Sequence, residues 1–328
     1  MDPYLELVAE AGGGYFTREQ ALSIGHHDRS IREALHTHEW ERVRVGAYAP
    51  GEAFRALAPQ EQHLVAARAC THKLGNRVAL SHTTAVLAHG IATVDVDLRT
   101  VHALRLDGGS SRRESGVCHH EAKSPLLPHV ARDAHGQLVV APAAALRQAA
   151  TLVDQKRAAV MVDSALHLGL VTVDELTAIE RIFERWPQAA RFRLVLAFAD
   201  ARAESPGETL VRWICKVFGL PRPELQRVVR DALGVAGRTD FSWLDGRHLG
   251  EFDGKVKYLR LVREGETASD AVVREKARED RLRATRAGMS RFVWSDVLDR
   301  NEGRTAERLR REIEQSRQLF VPARASLV

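Results

Sequence analysis

Cysteine is scarce in this chain: Cys70, Cys118 and Cys215 lie far apart in 328 residues. An odd, dispersed set excludes a disulfide scaffold and a Cys-x-x-Cys metal knuckle. No apolar run approaches the roughly 18 residues of a membrane-spanning helix. The first ten residues carry three acids and no base, which is not a secretory-signal pattern. These absences point to a cytoplasmic protein without membrane association. Lysine is also rare, at seven residues against 41 arginines, a ratio that GC-rich coding explains as well as phosphate binding does.

What is present is ample material for a core. Hydrophobic residues make up 45% and charged residues 28%, and the length suits two or three domains. The net charge of +5 is unevenly spread. Residues 1–50 carry −3, 51–150 carry +3, 151–200 carry −1 and 201–328 carry +6. A basic face gathers affinity for nucleic acid by releasing counterions, whereas mixed-sign solvated helices give the same count without any partner.

Residues 15–50 read as two short helices and a hairpin. Thr17 caps the first, with Glu19 and Gln20 in its opening turn and an end near Gly25. Asp28 is placed to cap the second, Arg29–His36, with Ile31 and Leu35 facing inward. Trp40, Val43, Val45 and Tyr48 then alternate around Gly46, as the strands of a wing would. This is the layout of a winged helix-turn-helix, whose second helix would present Arg29 and Arg32 to a major groove. The alternative is a winged-helix module for protein interaction, which the −3 charge favours because phosphate contacts need cations.

Helical patterns follow at Glu61–Thr71 and Ser81–Gly90, and alternating runs at Val94–Leu106 and Gly116–His120. Cys118-His119-His120 has no spaced partner pair, so it reads as a strand rather than a metal site. Pro142–Val153, Ala158–Leu170 and the capping box Thr172–Glu175 form a run of helices. Ser164 and His167 fall one turn apart on one of them and read as surface.

Chemistry concentrates after residue 205. Ser205 caps a helix with Pro206 at its first position and Glu208 at the capping-box position. Arg238–Leu244 and Arg247–Asp253 then read as strands joined by Asp245-Gly246, a strong hairpin signal. A two-residue loop sets Leu244 opposite Arg247 and hence Asp240 opposite Glu251. Asp253 and Lys255 continue that face at alternate positions. Like charges facing across strands cost about 0.2–1 kcal/mol. Carboxylates beside a lysine are what a divalent-cation site for phosphodiester cleavage requires, with Mg2+ or Mn2+ held by hard oxygens. The alternative is an exposed acidic hairpin in which Lys255 merely pairs with Asp253. Beyond it, residues 271–287 carry Arg274, Arg278 and Arg281, either to follow phosphates or as a solvated helix face.

Asp240 followed by Asp253-Gly254-Lys255 resembles the signature of the PD-(D/E)XK nucleases, with Glu208 matching the acid of the preceding helix. The runs Glu-Phe-Asp-Gly-Lys-Val-Lys-Tyr (251–258), Glu-Lys-Ala-Arg-Glu-Asp-Arg-Leu-Arg (275–283) and Arg-Phe-Val-Trp-Ser-Asp-Val-Leu (291–298) look like its very-short-patch-repair branch. Upstream, residues 13–21, 40–48 and Leu80-Ser-His-Thr-Thr-Ala85 look like AbiEi-type antitoxins of toxin–antitoxin systems. The resemblance implies a mixed α/β chain in three parts. These are a winged helix-turn-helix (1–55), a middle antitoxin-like α/β domain (56–200) and a restriction-endonuclease-like domain (201–328). It implies DNA as partner, with a cognate toxin if the antitoxin role holds. It implies Mg2+ or Mn2+ on Asp240, Asp253, Glu251 and Glu208, and Lys255 as catalytic lysine. Either Glu251 or Asp253 can be laid on the pattern's second acid, and the reading chosen takes Asp240 and Asp253 as ligands. Two functions follow: a metal-dependent endonuclease, or an antitoxin-like repressor whose nuclease-like domain only binds.

Overall fold

The fold is that of a computed structural model, in which residues 2–122, 129–133, 135–254, 273, 276–278, 280–282 and 284–320 are described. The chain divides into two compact units, Met1–Ala199 and Asp200–Val328. It is a mixed α/β protein.

The N-terminal unit opens with α1 (Pro3–Ala11), β1 (Phe16–Thr17), α2 (Arg18–Ser23) and α3 (Asp28–His36). The expected capping box closes α2: Gln20 N–H donates to Thr17 Oγ1, and Thr17 N–H to Gln20 Oε1. At α3 the cap is His27 rather than Asp28, because His27 Nδ1 accepts the Ser30 N–H and leaves Asp28 in the first turn. Asp28 is taken up instead by Arg18, at 2.6 Å. β2 (Trp40–Arg44) and β3 (Ala47–Pro50) turn at Gly46, whose φ of 76° suits a residue without Cβ. The small sheet runs β1-β3-β2 and seals Leu5, Phe16, Ile31, Trp40 and Tyr48 into one core.

After α4 (Gly51–Ala56) and α5 (Pro59–His72) come β4 (Val78–Leu80), α6 (His82–Ala88), β5 (Val101–Arg105), β6 (Arg112–Glu114), β7 (Val117–Glu121), β8 (Val130–Arg132) and β9 (Leu138–Val140). They form a six-stranded sheet of order β6-β7-β5-β4-β9-β8. The expected alternating run from Val94 shortens to β5, since residues 92–100 are irregular. Four helices complete the unit: α7 (Pro142–Ala149), α8 (Gln155–His167), α9 (Val173–Ile182) and α10 (Ala189–Phe198). The Arg147–Glu180 ion pair is buried among them, with Nε to Oε2 at 2.7 Å. Ser164 is not idle surface, because its hydroxyl accepts the Ala92 N–H at 2.9 Å.

In the C-terminal unit, α11 (Pro206–Val217) precedes β10 (Glu224–Asp231), β11 (Gly234–Trp243), β12 (His248–Asp253), β13 (Gly288–Val293) and α12 (Glu302–Phe320). β10, β11 and β12 are antiparallel neighbours, and β13 adds parallel to β12. Gly207 lets the first turn of α11 lie on the sheet, since a Cβ there would meet the Phe252 ring at 2.2 Å. Leu309 and Ile313 bury the inner face of α12, and Leu298 stays exposed among the preceding 3-10 turns.

His248 ties β12 to its neighbours. Its ring nitrogens lie 2.8 Å from Ser316 Oγ of α12 and 2.8 Å from Ser290 Oγ of β13. Burial pushes this imidazole down from 6.5 to about 4. Between those values the unfolded chain takes up a proton that the folded chain refuses. The stability from this group is therefore complete above pH 6.5 and declines as the pH falls toward 4. We expect the ring resonance lost in His248→Gln to titrate near pH 4 by NMR. A midpoint at the ordinary value of 6.5 would contradict the packing.

Candidate functional site

The hairpin between β11 and β12 turns through Leu244–Arg247 rather than through Asp245-Gly246 alone. Leu244 (φ 52°), Asp245 (φ 58°, ψ 37°) and Gly246 (φ 87°) are all left-handed, and Arg247 N–H donates to Leu244 O. The ladder itself ends one pair earlier, at Trp243 opposite His248. Phe241 pairs with Gly250 and Ser242 with Leu249, which is the register expected from the loop. Continued by one residue, it sets Asp240 across from Glu251, and Asp253 follows on the same face. The Phe252 N–H donates to Asp240 Oδ2 at 2.8 Å, so this carboxylate reaches across to the neighbouring strand.

On the other side of Asp240 lies β10. Leu225 pairs with Phe241 and Arg227 with Thr239, which leaves Gln226 facing Asp240. Gln226 has a φ of 56° in mid-strand. A left-handed non-glycine residue costs about 1–3 kcal/mol and persists only where its surroundings impose it. Here the imposing partner is Glu208, whose Oε2 accepts from Gln226 Nε2 at 2.8 Å. The Gln226 Oε1 atom is enclosed and accepts no hydrogen bond among the described residues.

Glu208 is 2% exposed. Its Oε2 also accepts the Glu204 N–H at 3.0 Å, and the Ser205 hydroxyl donates to Oε1 at 2.7 Å. The capping role expected from sequence is present, although the backbone donor is Glu204 rather than Ser205. The added bond to Gln226 links α11 to β10, which the sequence pattern did not reveal.

The arginines of this region are already engaged. Arg278 Nη2 donates to Glu251 Oε1 at 2.7 Å and Nη1 to Arg238 O at 3.3 Å. Arg281 forms a fork on Asp231, with bonds of 2.8 and 2.7 Å, and holds that carboxyl below its ordinary range. Arg274 and Lys255 lie outside the described residues. In the N-terminal unit Arg29 and Arg32 are exposed on α3, and Arg32 Nε donates to Asp28 O at 3.1 Å.

Asp240, Asp253 and Gln226 each carry a hard oxygen, the donor type that suits Mg2+ or Mn2+. Glu251 joins them only by exchanging Arg278 for the cation. Among the described residues these groups do not close into a three-ligand set. The group of three whose ligand atoms lie within 4.8 Å of one another is His102, Cys118 and His120, in the other unit.

No protein-family model matches the chain. It is 30% identical over 240 residues to two Mycobacterium tuberculosis proteins, uncharacterized protein Rv2248 and uncharacterized protein MT2308. The match covers 72% of this chain and 83% of each relative. The crystal structure of the RV2827C protein from the same species is 17% identical, with 69% of this chain and 87% of that chain covered and a TM-score of 0.38.

Gln226 offered no sequence signal, being one polar residue in a strand, yet it joins Glu208 to the acid face. A hydrogen bond to a charged group is worth about 1.5–3 kcal/mol. Gln226→Ala, which loses the amide and its bond to Glu208, should lower unfolding free energy by about that amount at an unchanged urea m-value. A loss within experimental error would show that the amide bond is not what holds α11 to β10.

Proposed function

We propose a function for this chain, which belongs to the family of the Mycobacterium tuberculosis proteins Rv2248 and MT2308: it is a DNA-interacting protein that cleaves or nicks phosphodiester bonds with a divalent cation. The observation that carries the reading is the β11–β12 ladder, which runs to Phe241 opposite Gly250 and, continued by one residue, would set Asp240 across from Glu251 on the face that Asp253 shares. Like charges opposed on one face cost about 0.2–1 kcal/mol, which Arg278 offsets at Glu251 and a cation would offset for the carboxylates together. Gln226 Oε1, on the neighbouring strand, is enclosed and accepts no hydrogen bond among the described residues, which fits the same need. When bound, Mg2+ or Mn2+ would lower the pKa of a water and neutralise charge developing on phosphorus.

The chain's own groups then have separable tasks. Asp240 and Asp253 would hold the cation, and the Phe252 N–H keeps the Asp240 carboxylate in one orientation. Glu251 serves as a further ligand or orients water. Its pairing with Arg278 neutralises it until a substrate or cation competes. Glu208 acts through Gln226, as a group that positions β10. Lys255, two residues beyond Asp253 in sequence, is assigned the role of orienting water or stabilising the developing charge.

Supercoiled, linear and single-stranded DNA, incubated with Mg2+, Mn2+ or EDTA, tests this directly. Nicking or cleavage should require the cation. Asp240→Asn, which retains an oxygen to accept the Phe252 N–H, should fold normally. It should lose more than the roughly 10–100-fold that a supporting group costs. Lys255→Met should lose a similar factor. Cleavage of none of these substrates, or variants as active as the parent, would overturn the reading.

A second reading has its own observation. Arg29 and Arg32 are exposed on α3, whose opposite face is buried through Ile31 and Ala34. That suits an operator-binding repressor of the antitoxin type, partnered by a cognate toxin. It predicts a footprint on the protein's own promoter that disappears when both arginines become alanine. An unprotected promoter would remove it.

A further inference from the structure

We infer that the six-stranded sheet of the N-terminal unit carries a site for a borderline-soft divalent metal of the zinc class, held by His102, Cys118 and His120. The sheet topology assembles it. β5 and β7 pair in parallel, with His102 opposite Cys118 and Leu104 opposite His120. Cys118 and His120 share a face because side chains alternate along a strand, and His102 is brought to them by the register. His119, between them, points the other way and is buried there at 4% exposure. Cys118-His119-His120 lacked a spaced partner pair in the sequence. The partner is on another strand, and β7 is an inner strand of the sheet.

The ligand atoms of the three residues lie within 4.8 Å of one another, and His102 Nδ1 is 2.9 Å from His120 Nε2. Around a tetrahedral zinc ion, with bonds of about 2.0–2.3 Å, donors stand roughly 3.3–3.6 Å apart. The set reaches that geometry by side-chain adjustments of about an ångström. Imidazole nitrogen and thiolate sulfur select zinc-like ions over Mg2+ and Ca2+. Arg113 lies opposite Cys118 on β6.

The surroundings are built for a ligand rather than for closure. His82 stacks on the His120 ring at 3.7 Å and is held at φ 49°, a left-handed conformation for a buried residue at the start of α6. Its N–H donates to Gln148 Oε1 at 3.2 Å. The Gln148 Nε2 atom is enclosed without a hydrogen-bond partner among the described residues, and the side chain is 3% exposed. His82, His120, Gln148, Thr151 and Trp186 line an open pocket of about 410 Å³. Of the three ligands His120 lines this pocket, and three protein ligands would leave a metal's fourth position for water or a small donor, the arrangement of zinc sites that keep an open position. This site uses none of the residues assigned to DNA cleavage.

The test uses the full chain stripped with EDTA and titrated with Co2+ as a spectroscopic stand-in for zinc. One ion should bind per chain, with the visible bands of four-coordinate cobalt and a near-ultraviolet thiolate-to-cobalt charge-transfer band, and Zn2+ should displace it. Cys118→Ser should abolish the charge-transfer band, and His102→Ala and His120→Ala should each weaken binding at least about tenfold. His119→Ala and Asp240→Asn should leave the spectrum unchanged, which separates this site from the acidic face. Circular dichroism identifies any variant that fails to fold, and the half-buried Cys118→Ser keeps the test decisive in that event. No charge-transfer band in the parent, or the same band in Cys118→Ser, would overturn the proposal.

Discussion

The arrangement of the C-terminal unit depends on one turn. Asp245 and Gly246 accept left-handed dihedrals, and that choice fixes which residue of β11 faces which residue of β12. A slip of one residue would send Asp240 to the opposite face from Glu251 and turn Phe241 and Phe252 away from the core. The core resists such a slip. Phe252 packs under Gly207, Phe241 meets Phe292 edge to face at 5.7 Å, and His248 is bonded on both sides. The acidic face is therefore imposed by packing on its reverse. Apolar burial worth about 25 cal/mol per Å² stabilises it against the repulsion of its carboxylates.

The two units present different donor chemistry. In Asp200–Val328 the converging atoms are carboxylate and amide oxygens, held by backbone N–H groups and arginine. In Met1–Ala199 they are imidazole nitrogens and a thiol, in a sheet lined by stacked rings. Hard oxygens and softer nitrogen–sulfur sets select different ions, so the two sites would not compete for one metal. Each unit also contains an enclosed amide atom without a hydrogen-bond partner among the described residues, Gln226 Oε1 in one and Gln148 Nε2 in the other. Such atoms cost about 1–3 kcal/mol each when left unsatisfied, which points to something that satisfies them in the working protein.

How much of this was legible in the sequence follows from how local each determinant is. The hairpin register depends on two adjacent residues and was readable, as were the capped starts of α2, α9 and α11. The α3 cap was misassigned because a histidine, seldom used there, took the role expected of Asp28. The left-handed Gln226, the Glu251–Arg278 pair and the meeting of His102 with Cys118 all depend on contacts between separated segments. No spacing rule encodes them. The charge count could not decide the role of Arg281, left either to follow phosphates or to lie on a solvated helix face, and the structure commits it to Asp231.

The central claim is that the face shared by Asp240, Glu251 and Asp253 holds a divalent cation. Anomalous scattering from crystals soaked in Mn2+ tests it most directly. The account predicts an anomalous peak ligated by Asp240 and Asp253, with Glu251 either ligated or bonded to a coordinated water. Crystals that take up manganese elsewhere, while the acidic face shows no peak and Glu251 remains paired with Arg278, would contradict it.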